Sequence, residues 1–277
     1  MNLEKAVELM GINVISPEVL SESMGAEFSK EDLANLKEIP LEATDLLIDD
    51  PYQKKEKASK AVLKIKDSYI LFPMPDKVCV SGKTVPLNAF EVIRYFGFVP
   101  NQLRKLFFIN NSVSRGNDNN LVILGWKEWF FNEKIVLDHP MYRIQKPAWV
   151  LMRKTLISDS IGKNLKDGMW SLKYSDKTPT FLEVLVGMIG FYFLIKNSKN
   201  SDAKIGMPFY IERDWFGRIL SGSMAWTTDT FSLKENSQPD NLTIGLNTPD
   251  SGINIEKLDP SKSSEVIGIL PLRRLRN

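Results

Sequence analysis

The sequence predicts an α+β protein: a short helical N-terminal segment, residues 1–57, then two related α/β units, residues 58–145 and 146–277. Three observations predict it. Apolar residues recur at helical spacing near the N-terminus and at strand spacing from Ala61 onward. The charge changes over the same boundary: residues 1–57 hold six Lys/Arg against thirteen Asp/Glu, net −7, and the remainder thirty against twenty-one, net +9. A block of the first unit also returns in the second at an offset of 86 residues.

In the N-terminal segment, Leu3, Ala6, Val7 and Met10 share one helix face, and Gly11 stops that helix. Ser16-Pro17-Glu18 reads as an N-cap with Pro at the first helical position. Ser29 followed by Asp32 resembles a capping box with Asp in place of Glu. It predicts a helix from about Lys30 to Glu38, ended by Pro40. Asp49-Asp50-Pro51 breaks the chain, and Lys54–Lys60 reads as a solvated face or linker.

In the first unit, Ala61–Ile65, Tyr69–Phe72 and Lys77–Val80 read as strands. Pro86 is expected to open a helix carrying Leu87, Phe90, Ile93 and Phe96, and Pro100 a second with Leu103, Leu106 and Phe107. A polar loop over 110–120 and a short strand at Leu121–Leu124 follow. In the second unit, Ala148–Leu151 is a strand and Thr178-Pro179 starts a helix running to about Ile195. That helix is apolar nearly all round and therefore central. Strands at Met207–Ile211, Thr243–Leu246 and Val266–Leu270 complete the unit, before the Arg-rich Arg273, Arg274 and Arg276.

The repeat rests on two matches at one offset. Phe107–Ser112 lies over Phe193–Ser198, and Lys127-Glu128-Trp129-Phe130 over Arg213-Asp214-Trp215-Phe216. Upstream, Lys83–Pro86 resembles Lys177–Pro179, and Ala61–Leu63 holds the place of Ala148–Leu151. One supersecondary unit used twice would bury a shared core. Lys177–Trp226, Pro86–Trp126 and, more loosely, Leu3–Leu36 resemble a family of uncharacterised bacterial proteins, a domain of unknown function. The Cys and Gly-Trp elements of that family are absent near the C-terminus here. The resemblance implies no activity and no catalytic residue.

Composition narrows the chemistry. There is one His, His139, and one Cys, Cys79. A single chain therefore cannot assemble a Cys/His zinc centre or an internal disulfide. Cys79, between Val78 and Val80, is expected to be a buried structural thiol. The most apolar window, Phe181–Ile195, contains Glu183 and falls short of the roughly 20 residues of a membrane span. The expectation is a cytoplasmic protein with no membrane partner. No phosphate-binding glycine pattern and no Gly-x-Ser-x-Gly occurs. His139, between Asp138 and Pro140, reads as a turn residue, and Asp45, Asp49 and Asp50 lack the spacing of a calcium loop. No cofactor, metal or catalytic residue is expected.

What remains distinctive is the duplicated Lys127-Glu128-Trp129 and Arg213-Asp214-Trp215, the candidate binding residues. On a strand, the cation and the Trp two residues later share a face and can form a cation–π pair. The function expected is a non-enzymatic, protein-binding interaction module. Two alternatives stand beside it. One is a nucleic-acid-associated protein using the basic body and the terminal arginines. The other is a carboxylate-dependent hydrolase with Glu128 and Asp214 as its acid pair.

Overall fold

A computed structural model describes residues 1–53, 62–80, 82–88, 147–173, 175–197, 224–231, 240–246 and 253–275. The N-terminal segment forms α1 (Leu3–Met10), α2 (Pro17–Met24), a two-residue strand β1 (Ala26–Glu27), α3 (Lys30–Asn35) and α4 (Ala43–Leu47). Their ends are set locally. Asn2, Ser16 and Ser29 each accept a backbone N–H three residues on, at Lys5, Val19 and Asp32. Asp32 closes the box by accepting the Ser29 N–H. Gly11 (φ 56°) and Gly25 (φ 69°) end α1 and α2 with positive φ, which side chains resist.

A single helical turn, α5 (Ile65–Ser68), leads into β2 (Tyr69–Met74), β3 (Lys77–Val80) and β4 (Lys83–Pro86). Next come β5 (Ala148–Arg153), the short α6 (Leu165–Met169) and the 17-residue α7 (Phe181–Asn197). The remainder is β6 (Met224–Phe231), β7 (Asp240–Leu246), β8 (Ile253–Leu258), β9 (Ile267–Gly268) and β10 (Leu272–Leu275).

These strands form three small sheets, ordered β1-β3-β4, β10-β5-β2 and β8-β7-β6-β9. The protein is α+β. The second sheet is the organising one. It is antiparallel throughout, with Leu71 opposite Leu151 and Leu272 opposite Met152. Pro73 is tolerated because β2 is an edge strand of that sheet.

Period-two alternation gives the sheet two apolar faces. Ile70, Phe72, Val150, Met152 and Leu272 pack in one core with α2, α7 and the other two sheets. Tyr69, Leu71, Trp149, Leu151 and Leu275 pack in a second core with α1, α4 and α5. The central sheet is thus a middle layer between the N-terminal helices and α7. The described parts of residues 1–57, 58–145 and 146–277 contribute to one core, which joins Ile15, Ile70 and Leu185.

Helix α7 is the hub of the first core. Phe181, Leu182, Val184, Leu185, Val186, Ile189 and Phe191 are buried on every side. At about 1.5–3 kcal/mol per large apolar side chain removed from water, this helix is a major source of stability. Two glycines let it approach its neighbours. A Cβ on Gly187 would lie 2.6 Å from Met152 Cε and 3.0 Å from the Phe72 ring. One on Gly190 would lie 2.9 Å from both Ile15 Cγ2 and Leu20 Cδ2.

Several sequence expectations need correction. Val62 and Leu63 are irregular and Ile65 begins a helical turn, so Val62–Ile65 is not a strand, and Ala61 lies outside the described residues. The Asp67 carboxylate accepts the Lys64 N–H at 3.3 Å, and this cap outweighs the β-branched alternation. Pro86 is a strand residue rather than the first residue of a helix, and Phe90, Ile93 and Phe96 of the helix expected after it lie outside the described residues. Pro86 ends β4, opposite Lys77, where an edge strand has no need of its missing N–H. The helix at Lys30 stops at Asn35, short of Glu38. The upstream legs of the repeat therefore take different structures: Lys83–Pro86 is a strand, whereas Thr178–Thr180 is irregular chain entering α7. The described residues do not confirm a duplication. The segments around Pro100, 110–120, Leu121–Leu124, His139 and Met207–Ile211 lie outside the described residues, as do Lys54–Lys60 and Arg276.

Close packing at Gly190 yields a first prediction. Gly190→Val drives two methyl groups into the stiff Ile15 and the buried Leu20, so overpacking should cost about 1–3 kcal/mol. A lowered urea midpoint with an unchanged denaturant slope would show it. A midpoint equal to wild type would refute the close contact between α2 and α7.

Candidate functional site

All six candidate binding residues, Lys127, Glu128, Trp129, Arg213, Asp214 and Trp215, lie outside the described residues. Among the described residues, two other places gather side chains of functional interest. One is a buried ionic cluster, and the other an exposed apolar groove.

The cluster forms where the N-terminal segment meets the central sheet. Tyr69 and Arg153 face each other across β2 and β5. Arg153 Nε donates to Asp50 Oδ2 at 3.0 Å, and its Nη1 donates to the carbonyls of Thr155 (2.9 Å) and Leu156 (2.8 Å). The other Asp50 oxygen accepts the Tyr52 N–H at 3.1 Å. The Tyr52 hydroxyl accepts the Lys173 N–H at 2.8 Å and donates to Asp176 Oδ2 at 2.9 Å. Asp176 Oδ1 receives Arg273 Nε (3.0 Å) and Nη2 (2.9 Å). The Arg153 guanidinium and the Lys173 ammonium both lie against the Tyr52 ring, at 5.7 and 5.9 Å from its centroid.

Two carboxylates and two guanidiniums balance in this cluster, and every carboxylate oxygen has a donor. Neither described cavity is lined by these residues. The arrangement clamps Asp50, Tyr52, Lys173, Asp176, β5 and β10 together. Burial pushes both phenols above the usual tyrosine range. At Tyr52 the Lys173 N–H partly opposes this while Asp176 adds to it; at Tyr69 the Asp176 charge is the next contributor after burial.

A second buried acid serves the hub helix. Glu183 is 1% exposed. Its Oε2 accepts the Thr180 N–H at 2.7 Å, while Thr180 Oγ1 accepts the Glu183 N–H at 3.2 Å, a capping box at the start of α7. The same carboxylate receives Arg274 Nε and, at 2.7 Å, Arg274 Nη2. Asp229 on β6 accepts the Phe181 N–H, satisfying another donor of that helix end.

Arg273 and Arg274 are therefore held within the fold by buried acids. Adjacent on β10, they point to opposite faces of the sheet and meet Asp176 and Glu183 respectively. Nor do Asp45, Asp49 and Asp50 share a cation. Asp45 accepts the Glu42 N–H, Asp49 pairs with Lys64, and Asp50 with Arg153. Sequence reasoning missed Thr180–Glu183 and Asp176 as functional-looking groups. The Thr-x-x-Glu spacing signals the first, and nothing local signals the second.

Two concave features face outward. One, about 620 Å³, is lined by Ser21, Glu27, Phe28, Ser29, Lys77 and Cys79, among others. Cys79 is half-buried rather than buried, because alternation along β3 sends Val78 and Val80 into the core and Cys79 to the other face. The other groove, about 410 Å³, is walled by Leu165, Met169, Trp170 and Pro260 with Lys166 beside them. Trp170 is 80% exposed and Met169 45%. Leu165 extends inward to a small core containing Tyr52, Met224, Trp226 and Ile267. The Pro260 carbonyl accepts the Leu165 N–H at 3.1 Å, fixing the two walls of the groove to each other.

No family model, no curated protein and no solved structure matches this chain. No helix among the described residues is long and apolar enough to cross a membrane.

The cluster makes two predictions. Arg153→Met leaves Asp50 buried without its cation and should cost about 3–5 kcal/mol, whereas adding Asp50→Leu should recover most of that loss. Urea denaturation of both variants checks this. A double variant as unstable as the single one would contradict the pairing.

The phenols set an alkaline limit. Unfolded tyrosines ionise near pH 10, while the folded ones hold their protons to higher pH, so stability should fall as pH rises past about 10. Lys154 acts in the opposite sense. Its amine donates to Asn13 Oδ1 at 3.1 Å; burial lowers its pKa, and Asp67 partly opposes the shift. Between that lowered pKa and the ordinary lysine value, its contribution grows with pH. Thermal melts from pH 8 to 11 should show a shallower alkaline loss for Tyr69→Phe and a steeper one for Lys154→Met. Superimposable pH profiles would contradict both assignments.

Proposed function

We propose that this protein is a non-enzymatic, cytoplasmic protein-binding module, and that the groove at Trp170 is a contact surface. The carrying observation is Trp170 itself, an indole left largely in water on the wall of an apolar groove. Large exposed apolar surface is costly for a folded chain and marks interaction sites. Trp anchors dominate protein–protein contacts because they bury much area with few rotatable bonds. The fitting occupant is an apolar or aromatic side chain presented by a protein partner. The buried acids and bases support the same reading, since Asp50, Asp176 and Glu183 are spent on internal arginines. For the same reason Arg273 and Arg274 offer little to a phosphate backbone.

Panning a displayed random-peptide library on the full chain tests this. Wild-type protein should enrich peptides with an apolar or aromatic anchor. Trp170→Ala should weaken them about 30-fold or more, the scale of a 2 kcal/mol anchor. Its melting temperature should barely change, as expected for a surface site. Peptides that bind Trp170→Ala as well as wild type would remove the groove from consideration. Retention of duplex DNA on a filter across low and moderate salt would favour the nucleic-acid reading instead.

A further inference from the structure

We draw no further inference here: the strongest candidate, the exposed apolar patch of Leu47, Ile48, Val62 and Leu63 beside the Asp49–Lys64 bridge, is an unpartnered face, and nothing in the structure shows what covers it.

Discussion

The rest of the fold depends on covering α7. An amphipathic helix needs one apolar neighbour, but a helix apolar all round needs a neighbour on every side. The central sheet supplies one through Phe72 and Met152, α2 and the residue just before its cap another through Leu20 and Ile15, and β6 and β7 a third through Ala225 and Ile244. Pieces from both ends of the sequence are drawn to the same axis because this surface must leave water. Gly187 and Gly190 make the coverage close enough to be effective. They trade helix propensity for contact, since glycine in a helix interior costs about 1 kcal/mol relative to alanine.

The buried acids Asp50, Asp176 and Glu183 are each matched by an arginine. Glu183 sits at the start of the most apolar helix, where the helix dipole, the N–H and hydroxyl of Thr180 and the Arg274 guanidinium converge on its carboxylate. On the opposite face of the sheet, Asp50 and Asp176 are held by Arg153 and Arg273. Buried pairs of this kind are weak sources of net stability, because removing both charges from water offsets much of their attraction. Their effect is to fix register. Only one alignment of β10 on β5 puts Arg273 against Asp176 and Arg274 against Glu183.

Features with local causes were legible in the sequence. The stops at Gly11 and the caps at Ser16 and Ser29 depend on atoms three or four residues apart, and the structure has them. Helix α7 was legible because its apolar run is long enough to outvote the ambiguity between a buried strand and a buried helix. The errors arose where one local pattern serves two structures. Alternating Ala61–Ile65 fits a strand until the Asp67 cap is considered, and Pro86 suits an edge strand as well as a first helical turn. The ionic cluster was not legible at all. Asp50 reads as a chain breaker and Arg273 as part of a tail, because their partners Arg153 and Asp176 are 103 and 97 residues away. Trp170 stands alone in sequence, with no spacing to mark it as exposed.

The place of β10 has a consequence for how the chain reaches its native state. This strand completes the central sheet, and its arginines reach back 97 and 91 residues for their acids. Contacts so distant along the chain are costly to close, because the intervening loop must lose its freedom before any contact is made. Until then β5 has one open edge and Glu183 lacks its guanidinium. A chain without β10 in place would display an unpaired strand beside apolar side chains, the kind of surface through which chains associate. Strand β10 thus covers one edge of β5 and supplies the guanidiniums of two buried acids, so the sheet edge and the acids are completed together.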